Sequence, residues 1–129
     1  MSDLLLDFVS YLVAQGAVQG DGVDIFRDNT PDSPDSLVTL FEYQGEPAPL
    51  NEAIAHRSVQ IVARASSATA AKLKARELYA LVSPLNRYLK LTAERWCQLY
   101  PRQTPFKIKT DSSGRIYYGF NLGVTTYND

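Results

Sequence analysis

Two side chains of this sequence have the chemistry that a catalytic or metal site uses: its single histidine, His56, and its single cysteine, Cys97. A histidine works as a general base only beside a nucleophile and a group that orients its ring. Glu52 lies four residues upstream, on the same face if that segment were helical, but no nucleophile completes the set. His56 therefore reads as a surface or interface residue. Cys97 stands between Trp96 and Gln98 in an apolar stretch, the surroundings of a buried, inert thiol. No HExxH pattern, no cysteine pair and no repeated Asp/Glu/His spacing offers a metal site. Asp28, Asp32 and Asp35 form an acidic run, yet the glycine and terminal glutamate of a calcium loop are missing, and Pro31 and Pro34 interrupt it. That run reads as a solvated loop. The glycine patterns that cradle phosphates are absent too. The sequence thus predicts no enzyme, no cofactor and no metal.

Charge narrows the partners. Basic residues number 13 against 14 acidic ones, a formal net charge of −1, which argues against a general nucleic-acid footprint. Two local basic groups remain: Lys72, Lys74 and Arg76 on a helical segment, and Lys107, Lys109 and Arg115 around a turn. Each reads first as a solvated face and second as a site for phosphate or an acidic partner. A lone cysteine allows no disulfide within the chain and fits a reducing compartment. No stretch reaches the ~18 apolar residues of a membrane span, and the apolar start lacks the basic head of a signal peptide. The length of 129 residues suits one domain. Eight tyrosines suit either protein contacts or sheet.

The elements that must carry these residues follow from spacing. Leu5, Phe8, Val9, Leu12 and Val13 recur at helical period over residues 3–15, with Gly16 as a stop. Residues 23–27 form a short strand candidate. Residues 37–43 (LVTLFEY) are apolar on both faces, as in a buried strand. Residues 57–65 alternate, with Val59, Ile61, Ala63 and Ala65 on one face. Ser66 and Ser67 offer a cap for a helix over 68–82 with the stripe Ala71, Ala75, Leu78 and Val82. Residues 85–91 are open between helix and strand. Strands follow at 96–100, 105–109 and 115–127, the last two joined by a turn ending at Gly114. In the last strand Ile116, Tyr118, Phe120, Leu122 and Val124 share one face, and Gly119 and Gly123 lie on the other. The order α-β-β-β-α-β-β-β predicts an α+β fold, with two helices packed on a mixed, mostly antiparallel sheet.

Residues 44–56 stand apart as a projecting loop. Pro47, Pro49, Leu50, Ala53 and Ile54 give it an apolar surface that a monomer would struggle to cover, rimmed by Glu46, Glu52 and Arg57. Its prolines lower the ordering cost of docking. Pro47, Pro49, Leu50, Ile54, His56 and Arg57 are the candidate subunit interface; the competing reading is that the arm folds back on its own sheet as core cover.

The whole pattern resembles the tail terminators of long-tailed bacteriophages, also described as minor capsid proteins. The resemblance is carried by LVTLFEYQG at 37–45 with the proline-containing connection after it, and by SVQIVAR at 58–64 running into the alanine-rich helix with Glu77, Leu78 and Tyr79. It is carried also by Pro105 and Phe106 through Asp111, Ser112, Ser113, Gly114 and Arg115 to Tyr118, Gly119, Phe120 and Asn121. Residues 85–94 match nothing firmly. The resemblance implies a homohexameric ring that caps the tail tube at the head–tail junction, stops its growth and docks the head connector or completion protein. It also implies that DNA passes through the ring without sequence-specific binding, that the chain is made in the host cytoplasm, and that the loop after Tyr43 reaches a neighbouring subunit. A head-completion or connector protein is the alternative reading. A small nucleic-acid-binding domain, resting on the basic turn, is a weaker one.

Overall fold

In the computed structural model, backbone is described for residues 4–46, 54–83, 88–92 and 95–127, and side chains for 4–43, 55–83, 92 and 97–126. The first helix, α1 (Leu4–Ala14), buries Leu4, Leu5, Phe8, Val9 and Leu12. Gly16, at φ 76°, turns the chain out of it in the left-handed conformation that glycine tolerates best. The second helix, α2 (Ala68–Val82), starts where Ser67 Oγ accepts a hydrogen bond from the Ala70 N–H at 3.2 Å. Its stripe Ala71, Ala75, Leu78 and Val82 is buried as the spacing predicts. Two alanines on that stripe let the helix axis approach the sheet closely.

The strands are β1 (Ile25–Arg27), β2 (Leu37–Glu46), β3 (Ile54–Ala65), β4 (Tyr88–Thr92), β5 (Arg95–Pro101), β6 (Phe106–Thr110) and β7 (Ile116–Tyr127). They form one seven-stranded sheet in the order β1-β2-β3-β7-β5-β4, with β6 also pairing β7. Only β1 and β2 run parallel; every other ladder is antiparallel. The fold is α+β with two helices on a mixed, mostly antiparallel sheet, as expected. The segment left open between helix and strand contributes β4. Residues 37–43 open β2 and residues 57–65 close β3, each a longer strand than expected, because the two continue their ladder toward the loop that joins them. The short strand begins at Ile25 rather than at Val23, which lies exposed in the turn before it.

Alternation along the strands sorts the sheet into two faces. The first carries Val38 and Leu40 of β2, Val59, Ile61 and Ala63 of β3, Phe120, Leu122 and Val124 of β7, and Leu99 of β5, all buried. Both helices pack there, in one continuous core. Tyr79 of α2 meets Phe120 edge to face, with ring centroids 5.2 Å apart. Tyr11 of α1 donates to the Leu81 carbonyl at 3.0 Å and ties the helices together; burial raises its pKa.

β7 is the spine of the sheet. It pairs β3 along its whole length on one side and, on the other, changes partner from β6 to β5 between Gly119 and Leu122. Its two glycines sit where neighbours close in. A Cβ at Gly119 would lie 2.5 Å from the Ile61 carbonyl oxygen, and one at Gly123 would lie 2.0 Å from the Tyr100 ring.

Candidate functional site

Among the described residues, no helix packs on the second face of the sheet. Its rows follow from the register. Thr39, Val62 and Gly119 lie side by side, with Phe106 beyond; so do Phe41, Gln60 and Asn121; so do Tyr43, Ser58, Gly123 and Tyr100. Tyr43, Tyr100 and Phe106 are between a third and two-fifths exposed, large for aromatic side chains. Gln60 and Asn121 are half-buried between them. The segment after β5 folds toward this face: Arg102 donates to the Tyr43 hydroxyl at 3.2 Å, and the Gln103 side chain accepts from the Asn121 N–H at 2.9 Å. A groove of about 210 Å³ opens there, lined by Thr30, Phe41, Gln60, Val62, Ile108, Lys109 and Tyr117.

One end of this face is closed by a clasp that pattern reading did not find. Arg64, at the end of β3, is buried and donates to the backbone carbonyls of Asp32 (3.1 Å), Pro34 (2.6 Å) and Asp35 (3.2 Å). Arg115 is also buried. It meets the carboxylates of Asp111 at 2.9 Å and Asp32 at 3.0 Å, and donates to the Asp32 carbonyl. Tyr117 lies between, with Arg64 5.8 Å and Lys109 4.7 Å from its ring centroid. Asp111 also accepts from the N–H groups of Ser113 and Arg115 and from the Tyr117 hydroxyl. Burial alone would raise its pKa, but these hydrogen bonds outweigh it and hold the carboxyl below its usual range. Desolvation works against the Arg115 charge, and Asp32 and Asp111 reverse that and raise its pKa.

The run with Asp28, Asp32 and Asp35 is a solvated loop as expected, with those side chains exposed, and Arg64 and Arg115 hold its backbone. One expectation is corrected: Arg115 is not part of an available basic patch, because its guanidinium is spent on Asp111 and Asp32. Lys74 is likewise engaged, by the Ala17 carbonyl and by Glu77. Lys72, Arg76, Lys107 and Lys109 remain exposed. The signal available in the sequence was Arg64, a charge near the end of an alternating strand on the face shared by Ser58, Gln60 and Val62.

The candidate interface residues fall in different places. Pro47, Pro49 and Leu50 lie outside the described residues, as does Glu52. Ile54 opens β3 with its backbone paired to Tyr127. His56 is a strand residue, not a helical one: it pairs Thr125, and its Nδ1 lies 3.1 Å from the Thr125 hydroxyl. Arg57 forms a two-pronged ion pair with Glu42 across the β2–β3 ladder, at 2.7 and 2.8 Å. Cys97 is fully buried in the core. Among the described residues, no group of His, Cys, Asp and Glu could hold a metal ion, and no helix is long and apolar enough to cross a membrane.

Residues 12–128 match the model of a family described as bacteriophage tail terminator protein. The chain belongs to the bacteriophage tail terminator family. It is a structural protein of the virion tail. Among solved structures, it is similar to a chain of the "Virion of native gene transfer agent (GTA) particle", with 13% identity and a TM-score of 0.59. The match covers 98% of this chain and 99% of that one, so the two share a fold from end to end. None of the curated proteins gives a significant match.

Proposed function

We propose that this tail terminator forms a homo-oligomeric ring, a hexamer, that caps the head-proximal end of the tail tube, stops its growth and presents the surface on which the head connector or completion protein docks. DNA passes through the ring without sequence-specific contacts. The chain acts as one domain with a projecting arm over residues 44–56, made in the host cytoplasm and carried in the virion at the head–tail junction. The observation that carries this reading is the family match over residues 12–128, a span that takes in every strand, the second helix and the arm. A ring needs a heterologous contact, in which one patch meets a different patch. An apolar arm supplies one half of such a contact through Pro47, Pro49, Leu50, Ile54, His56 and Arg57.

The test is assembly. Light scattering of the purified chain should give a closed oligomer. Leu50→Asp with Ile54→Asp should leave circular dichroism native-like and abolish that oligomer. In a tail-assembly mixture, omission of the chain should yield tubes of uncontrolled length. A folded double mutant that still forms rings at micromolar concentration removes the arm from the joint. Tubes of normal length without the chain remove the capping role.

A further inference from the structure

A strand that borders solvent must keep its free N–H and C=O groups from pairing with another chain. At one end of the sheet this is done by shortness and capping. β1 is only three residues long, and where β2 runs past it the Glu42 N–H is taken by the Asp28 carboxylate at 3.2 Å. β6 has neither protection. It runs five residues, Phe106–Thr110, and among the described residues it pairs β7 alone, so its other edge is free. Phe106, Lys107, Lys109 and Thr110 are exposed and Ile108 is half-buried, so no residue of the strand is buried. Phe, Ile and Thr favour strands. A free, exposed edge of that composition is a template for strand addition.

Two features of β6 oppose such addition. Its register against β7 shifts between Lys107 and Lys109, and a bulge of this kind bends and twists a strand. Lys107 pairs Tyr118 and Lys109 pairs Tyr117, residues that alternate across the sheet, so the two lysines stand on opposite faces. Lys109 lies 4.7 Å from the centroid of the Tyr117 ring, which keeps its ammonium on the open face. Lys107 is exposed on the other. The acidic residue nearest to them in sequence, Asp111, is held by Arg115 at 2.9 Å and does not neutralise them. A second copy of β6, brought antiparallel against this edge, carries its own two lysines to the same two faces. Like charges set against each other across a ladder are destabilising.

We propose that β6 is a charge-guarded edge: Lys107 and Lys109, with the bulge between them, keep its outer backbone from pairing with the same edge of another copy. On the capping reading this has a use, since an edge that recruited further strands would itself propagate assembly. The guard stands on the strand alone and does not need that reading.

The experiment uses the full-length chain, with circular dichroism for fold, and thioflavin T fluorescence and light scattering for association through strands. Lys107→Thr with Lys109→Thr removes both charges and keeps strand propensity. This variant should bind thioflavin T and associate at about tenfold lower protein concentration than the wild type. Lys107→Glu with Lys109→Glu restores repulsion with the opposite sign and should stay as soluble as the wild type. An equal mixture of the glutamate variant and the wild type sets opposite charges across the edge and should associate, less so as salt rises. A neutral variant as soluble as the wild type overturns the guard. So does a glutamate variant that associates by itself as readily as the neutral one, since repulsion would then not be what protects the edge. If the neutral variant loses the native circular dichroism spectrum, the mixture decides: association supports the guard and its absence overturns it. Neither result touches the ring reading, because a closed ring keeps one mass whereas pairing through edges gives a mass that grows with concentration.

Discussion

Two glycines in one strand show how a single side chain is excluded by different neighbours. A Cβ at residue 119 meets the backbone oxygen of Ile61, which the β3–β7 ladder fixes, whereas a Cβ at residue 123 meets the ring of Tyr100, a partly exposed side chain that can move. Gly119→Ala should therefore destabilise by about 1–3 kcal/mol in urea titration, the usual cost of overpacking. Gly123→Ala should cost less, and Tyr100→Ala in the same chain should recover part of the loss. Equal costs at the two sites would show that the ring is held as firmly as the backbone. Asp111 gives a residue-scale prediction in pH. Its carboxyl is held below the ordinary value of 3.8 by Arg115, Tyr117 and Ser113. A depressed carboxyl contributes stability that is complete above its unfolded pKa and is lost as pH falls through the folded one. Asp111→Asn should thus lower stability at neutral pH and flatten its decline below about pH 4. Thermal melts across an acid series give the slope directly; an unchanged slope would mean that the hydrogen bonds do not discriminate the charged form.

At the scale of elements, the sequence was readable wherever one period governed one face. The Ala71, Ala75, Leu78 and Val82 stripe, the Ser67 cap and the alternation of Phe120, Leu122 and Val124 each follow from local spacing, and each is buried or bonded as that spacing requires. Ser67→Ala should cost about 1 kcal/mol through the lost cap. Phe120→Ala should cost about 3–5 kcal/mol, since its ring is fully buried against Tyr79. Denaturant titration of monomeric protein separates the two, and a Phe120→Ala cost as small as the cap's would place that ring outside the core. What spacing did not reveal has a common cause. β4 was ambiguous because a short apolar run has no period long enough to choose helix or strand. Apart from Asp111, four residues from Arg115, the loop partners of Arg64 and Arg115 lie 29 to 83 residues away in sequence, and no local pattern encodes such a meeting. The helical relation of His56 to Glu52 fell because β3 extends to Ile54 and puts His56 into a ladder with Thr125.

At the scale of the molecule, the decisive feature is asymmetry: two helices cover one face of the sheet, and the other is left with aromatic rings in partial exposure. A chain that works as a monomer gains nothing from that arrangement, because exposed apolar area invites association. A specific interface takes about 800 Å² from each partner. In a ring each subunit makes two such contacts, so about a quarter of its 6957 Å² surface would be covered. This has a thermodynamic consequence that needs no knowledge of the ring's geometry. Any partner that binds the folded state and not the unfolded one raises apparent stability by mass action, and when the partner is another copy, Tm rises with protein concentration. The wild-type Tm should therefore climb across a hundredfold dilution series. The chain with Leu50→Asp and Ile54→Asp should melt at a Tm independent of concentration and equal to that of the dilute wild type. Scanning calorimetry at several concentrations reads both curves. A flat wild-type curve would mean that the folded chain does not associate with itself, and a double variant with the wild-type slope would move the joint away from the arm.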